Sequence, residues 1–152
     1  MILVGKTPNA PDRIDLNKIG VKQARLDSSS KVGRYSHVRD TELNLVERTR
    51  RQGAKAPTFT IRGGSYVFTK LQYPNLEDVM PELQKLSKMR NHIFDLEIVG
   101  TSWGSWIAER VNSDIGEWSW SADLGTYVPV TWDYSIMLVE SVEDGSSSVT
   151  LS

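Results

Sequence analysis

Between residues 128 and 138 the chain alternates with a period of two. Val128, Val130, Trp132, Tyr134, Ile136 and Leu138 are separated by Pro129, Thr131, Asp133, Ser135 and Met137. Successive side chains of a strand point to opposite faces, so the first set shares one face. Met137 and Val139 on the other face predict that the strand's end is covered on both sides. A long strand, central to a sheet, follows. Shorter alternations predict more strands. Phe94, Leu96 and Ile98 alternate with Asp95, Glu97 and Val99 and stop at Gly100. Ile107, Glu109 and Val111 are predicted to face away from Trp106, Ala108 and Arg110. Phe59 and Ile61 precede Gly63-Gly64, and Tyr66 and Phe68 are read as continuing after that pair, which suits a tight turn or a bulge. Additional strands are predicted near 21–26, 42–48 and 117–120, with hairpin turns at Asn112-Ser113-Asp114 and Asp123-Leu124-Gly125.

One segment has a different period. Val79, Leu83 and Leu86 lie at i, i+4 and i+7, which gather on one face at 3.6 residues per turn. Asp78 is read as the cap, and Pro81 as lying in the first turn, where amide donors lack intrahelical acceptors. Lys85, Lys88 and Arg90 collect toward the end that the helix dipole makes negative. Strands, one helix and more strands predict an α+β fold, an antiparallel β-sandwich or rolled sheet with one packed α-helix. Repeated βα units are missing, so a doubly wound fold is not expected.

Length and charge narrow this picture. A chain of 152 residues suits one domain with its own core, residues 1–152. Within it, 28–40 is read as a flexible loop, 41–57 as an extended hairpin, and 145–152 as a small, polar tail that frays or docks. Apolar and charged contents of 39% and 24% are those of a folded chain rather than a disordered one. A net charge of −1 argues against a protein devoted to neutralising phosphate or anionic lipid. With no cysteine, thiol catalysis, disulfides and Cys-rich zinc sites are excluded. The four apolar residues Met1 to Val4 fall short of a signal peptide's roughly 7–15, and no stretch approaches the roughly 20 of a membrane-spanning helix. A soluble protein is expected.

The candidate chemistry is sparse. His37 and His92 show no metal-ligand spacing, and no nucleophile elbow, Walker loop or dinucleotide fingerprint occurs. Asp133 is expected to face away from the apolar set. No catalytic residue, metal or cofactor is assigned. Arg48, Arg50, Arg51 and Lys55 form a basic cluster that would touch DNA or pair with acids on a neighbouring subunit. The near-neutral total favours the neighbour. Five tryptophans, Trp103, Trp106, Trp118, Trp120 and Trp132, lie in the last third of the chain. Trp132 is expected in the core. Trp118 and Trp120 share a strand face, as a sugar platform or a subunit contact, and interfaces too are enriched in Trp. Arg48, Arg50, Arg51, Lys55, Trp103, Trp118 and Trp120 are therefore the candidate subunit interface.

Several segments in order carry a family resemblance. Phe59-Thr60-Ile61 is followed by the helix over 78–90, then Phe94-Asp95-Leu96-Glu97-Ile98-Val99 and a Trp-Gly-Ser-Trp turn. A strand through Ile107 and Val111 and the alternating strand after Gly125 complete the series. Over residues 57–141 this resembles the tail protein U family of contractile-tailed bacteriophages and related tail-tube and baseplate-hub adaptors, above all in Gly104-Ser105-Trp106-Ile107. The resemblance implies a tail-tube-like virion structural protein, not an enzyme, forming a six-fold ring of its own copies at an end of the tail tube. The ring would serve as tail terminator or baseplate-side hub. Tail-tube and baseplate or sheath proteins would be its partners, with the virion tail, assembled in the host cytoplasm, as its location. No membrane, cofactor or specific nucleic-acid binding is implied, although DNA would pass through the ring. A carbohydrate-binding module built on Trp118 and Trp120 is the alternative.

Overall fold

The computed structural model describes residues 1–27 and 56–141. The described strands are β1 (Ile2–Gly5), β2 (Arg13–Asp15), β3 (Gln23–Asp27), β4 (Thr58–Gly64), β5 (Ile93–Ile98), β6 (Thr101–Ser121) and β7 (Thr126–Glu140), with one α-helix, α1 (Leu76–Leu86), between β4 and β5. All seven strands join one sheet in the order β2-β1-β5-β6-β7-β4-β3, and every neighbouring pair is antiparallel. The α+β assignment holds at this level. The predicted loop over 28–40, the hairpin over 41–57 apart from its last two residues, and the tail over 145–152 lie outside the described residues.

One face of the sheet carries the core. Leu3, Phe59, Ile61, Phe94, Leu96, Trp106, Trp132, Ile136 and Leu138 are all buried there. The cross-strand pairs Leu3↔Leu96, Phe59↔Leu138 and Ile61↔Ile136 put apolar side chains opposite one another. The chain then crosses from one sheet edge to the other, from the end of β2 at Asp15 to the start of β3 at Gln23. Eight residues reach about 27 Å when fully extended, and the 3-10 turn at Leu16–Lys18 shortens that reach. Seven flat strands would set their edges about 29 Å apart. The sheet therefore curls toward its core face. Hydrogen bonds hold the crossing there: Trp132 Nε1–H donates to the Ile19 carbonyl (3.0 Å), and the Tyr134 hydroxyl (2.8 Å) and the Gly64 N–H (3.1 Å) both donate to the Gly20 carbonyl. Gly63 has to be glycine for this approach, because a Cβ would run into the Gly20 carbonyl oxygen and the Tyr134 ring.

The helix closes the core with the predicted residues, Val79, Leu83 and Leu86, followed by Met89. Its cap is Asn75 rather than Asp78: the Asn75 Oδ1 accepts from the Glu77 N–H at 3.1 Å, while Glu77 and Asp78 fill the first turn. Pro81 is the sixth helical residue, one turn later than expected. Lacking an N–H, it leaves the Glu77 carbonyl without its intrahelical donor, a loss that solvent offsets on this exposed side. Glu82 is buried, with a partner at each carboxylate oxygen. Oε2 accepts from the Asp15 N–H (2.9 Å), and Oε1 meets Lys85 Nζ (3.1 Å), which also donates to the Arg13 carbonyl (2.8 Å). This clip ties the helix to the edge strand β2.

Other departures from the sequence reading have local causes. No hairpin turns at Asn112-Ser113-Asp114. These residues pair with Ser135, Tyr134 and Asp133, so β6 runs straight through and takes in the strand predicted separately over 117–120. Val111 lies on the same face as Trp106 and Ala108, because Glu109 is an extra residue between the pairs Ala108↔Leu138 and Arg110↔Met137. That bulge resets the alternation. The Trp-Gly-Ser-Trp segment is the irregular start of β6 rather than a turn, with a register shift opposite Asp95 and Glu97. After Gly64 the chain enters a 3-10 turn, Ser65–Val67, instead of carrying a strand through Tyr66. Val130 is exposed and Pro129 buried, the reverse of the expected facing, since β7 has left the body of the sheet by then.

Two substitutions test this account by urea unfolding. Gly63→Ala should cost about 3 kcal/mol, the upper part of the range for overpacking. Gly100→Ala, whose Cβ would meet nothing within 4 Å but whose φ is +75°, should cost about 1 kcal/mol, for backbone strain alone. Burial, helped by the nearby Tyr66, raises the Tyr134 phenol well above an ordinary tyrosine. The folded state therefore keeps its proton where the unfolded chain, with a tyrosine pKa of about 10, loses it. The resulting stability is complete below about pH 10 and falls as pH rises beyond it. Tyr134→Phe should lose about 1 kcal/mol at neutral pH and should show a shallower decline of stability above about pH 10 than the parent.

Candidate interaction surface

Beyond the pair Gly64↔Asp133, β7 has no partner but β6 among the described residues, and the two strands continue as a two-stranded arm to the turn before Thr126. From Asp133 to Gly125 the arm extends about 26 Å past the last β4 pairing at a strand's rise of about 3.3 Å per residue. Its register sets its faces. Trp118 pairs with Pro129 and Trp120 with Tyr127, which puts these four on the face away from the core. Trp118 and Trp120 are each 58% exposed and Tyr127 64%, so the rings form a surface cluster and not a core. Trp120 and Tyr127 meet edge to face, with centroids 5.2 Å apart and planes at 76°. Leu124 is exposed at the tip.

The sequence candidates divide among three places. Trp118 and Trp120 come together on the arm, joined by Tyr127 and Pro129. Trp103 lies at the opposite end of β6, partly exposed, with its ring edge-on to Phe59 at 6.0 Å. Arg48, Arg50, Arg51 and Lys55 lie outside the described residues. Tyr127 escaped notice because it precedes the alternating run of β7. The turn at Asp123-Leu124-Gly125 fixes its register opposite Trp120, and that signal was legible. Val99 was also missed. It is 93% exposed at the β5–β6 turn with φ +51°, where a β-branched side chain is strained.

Charge is the second property of the arm. After Arg110 the chain carries seven acids (Asp114, Glu117, Asp123, Asp133, Glu140, Glu143, Asp144) and no Lys, Arg or His. The rest then holds all 18 bases and 12 acids (19 − 7), so the total of −1 is +6 joined to −7. The near-neutral sum hid this polarity. On the arm, Asp114, Glu117 and Asp123 have no ion pair among the described residues.

Depressions in the surface are shallow. One of about 540 Å³ lies between α1 and the base of the arm, and its lining, which includes Met80, Leu83 and Ile115, has no titratable side chain. Another, of about 260 Å³, brings Arg62, Asp114 and Asp133 together with the hydroxyl-bearing residues Ser113, Ser135, Tyr66 and Tyr134. Among the described residues no three His, Cys, Asp or Glu side chains are placed to hold a metal ion. His92 shares a 2.9 Å hydrogen bond with Thr7 that ties the segment after β1 to the start of β5. No helix among the described residues is long and apolar enough to cross a membrane.

The arm aromatics contribute little to folding. Trp118→Ala should shift stability by less than about 1 kcal/mol and Trp120→Ala by about 1 kcal/mol, for the lost ring pair. Trp132→Ala, which empties a buried site and removes the bond to Ile19, should cost about 4 kcal/mol in the same urea titration. No protein-family model, curated protein or solved structure matches the chain.

Proposed function

We propose that this protein is a structural subunit of a phage-type contractile tail, one that forms or completes a ring at an end of the tail tube and acts through protein–protein contacts rather than catalysis. The observation that carries this reading is the projecting arm with exposed Trp118, Trp120 and Tyr127. An isolated two-stranded ribbon is marginally stable in water, and large exposed aromatic side chains at its end mark a surface made to be covered. The edge-to-edge crossing supports the rolled-sheet, tail-tube-like form of the fold, because a sheet that curls this strongly approaches a barrel wall. The resemblance of the element order over residues 57–141 to the tail protein U family points the same way. Copies of the chain, tail-tube and baseplate or sheath proteins are the partners it implies, and the virion tail is the location.

A second reading, carbohydrate binding, has the same exposed rings in its favour. Sugar stacking wants a flat platform, and the 76° angle between Trp120 and Tyr127 works against one.

Sedimentation and negative-stain electron microscopy of the purified chain, alone and with tail-tube protein, test the proposal. Closed rings, or particles capping tubes, are expected. A protein that stays monomeric and joins no tube at any concentration would overturn it. Glycan-array binding that Trp120→Ala abolishes, with folding intact, would put the carbohydrate reading in its place.

A further inference from the structure

The polarity of the molecule says what covers the arm. Among the described residues β3 is the edge strand at the other side of the sheet, and all five of its residues are exposed, the acidic Asp27 at its end included. Its register with β4 puts Arg25 opposite Thr60 and Gln23 opposite Arg62, so the two arginines are diagonal neighbours on the outer face. Lys22, just before the strand, lies over the Tyr66 ring at 5.0 Å. Neither Lys22 nor Arg25 has an ion pair among the described residues. Leu26 pairs with Phe59 and is 43% exposed, which leaves the apolar face open where the sheet ends. Basic side chains on an edge strand also discourage indiscriminate strand pairing, and that role favours a partner of opposite charge over a like one.

We infer that the arm of one copy docks on the β3 edge of the next, acidic and aromatic surface against basic and apolar surface, in a head-to-tail contact. The inference rests on the ring-assembly reading and names its contact. Glu117 and Asp123 would meet Lys22 and Arg25, while the Trp118 and Trp120 rings cover Leu26. The arm and the edge belong to different strands, so neither surface is used up by making the contact once. Each copy can give its arm and receive another, as a ring or an open chain requires. Opposite charges on the two surfaces steer encounter and disfavour arm-to-arm and edge-to-edge pairing.

Charge reversal in the full chain tests this, with sedimentation velocity read at low and high salt. Glu117→Lys with Asp123→Lys should weaken self-association about a hundredfold, and Lys22→Glu with Arg25→Glu should do the same. Each pair should leave the thermal midpoint unchanged, because all four residues are exposed. Combining both pairs in one chain should restore association, and so should mixing the two singly reversed proteins. If the parent associates and neither reversal weakens it, the arm-to-edge contact is wrong and the assembly reading stands. Loss in both reversed proteins without recovery in the combined chain or the mixture would also overturn the contact. A parent that is monomeric and joins no tube would remove the assembly reading itself, and the contact with it.

Discussion

The crossing between β2 and β3 is the constraint on which the rest of the structure depends. Two edges of a seven-stranded sheet are joined by a segment too short to span them flat, so the sheet bends until Gly20 can lie against Gly63 and Gly64. One carbonyl oxygen, that of Gly20, takes donors from the Gly64 backbone and the Tyr134 side chain, and Trp132 reaches the residue before it. A buried carbonyl left without a donor costs as much as a lost hydrogen bond, so these donors and the curvature support one another. The bent sheet wraps one side of the core, and α1 then needs to close only what remains, with the Glu82–Lys85 clip fixing it to β2. A helix of three turns suffices because the sheet has already enclosed most of the apolar surface.

Much of this body was legible in the sequence, and the reasons are specific. Trp132 to Leu138 alternate without interruption, and their strand is paired on both sides, so periodicity and burial agree. The helix was legible because Val79, Leu83 and Leu86 keep helical spacing while Glu77, Asp78 and Lys85 fall where the dipole favours them. Phe94 and Leu96 behaved in the same way. The short strands β1 and β2 were not legible. Three or four residues give too little alternation to count; what makes β1 a strand is pairing with β5, far along the chain, and β2 in turn pairs with β1.

The failures in β6 have a common physical origin. Alternation identifies a face only while the ladder is regular, and β6 breaks register near Ser102–Ser105 and at Glu109. Each added residue exchanges the two faces, so Val111 moves to the side of Trp106. The polar run Asn112-Ser113-Asp114 reads as a turn because no core lies beneath it, yet pairing with β7 keeps it straight. At the candidate site, sequence placed Trp118 and Trp120 on one face but could not show whether that face was covered. Exposure depends on where β4 stops, at Gly64, and that is a property of another strand.

The arm is the part of the molecule that the core does not explain. Trp118, Trp120 and Tyr127 are large apolar groups whose removal should barely alter folding, and three acids accompany them with no base nearby in sequence. A chain that spread its charges evenly would reach the same total of −1 without leaving one surface acidic and another basic. On the arm Asp114, Glu117 and Asp123 stand without a base, while Lys22, Arg25 and Arg62 gather at the β3 edge, so these two surfaces are unlike. Such asymmetry has little effect on an isolated monomer, since exposed charges far apart are screened within about 8–10 Å. It matters when the acidic end of one copy comes within that distance of the basic end of another, and head-to-tail assembly is the arrangement that brings them there.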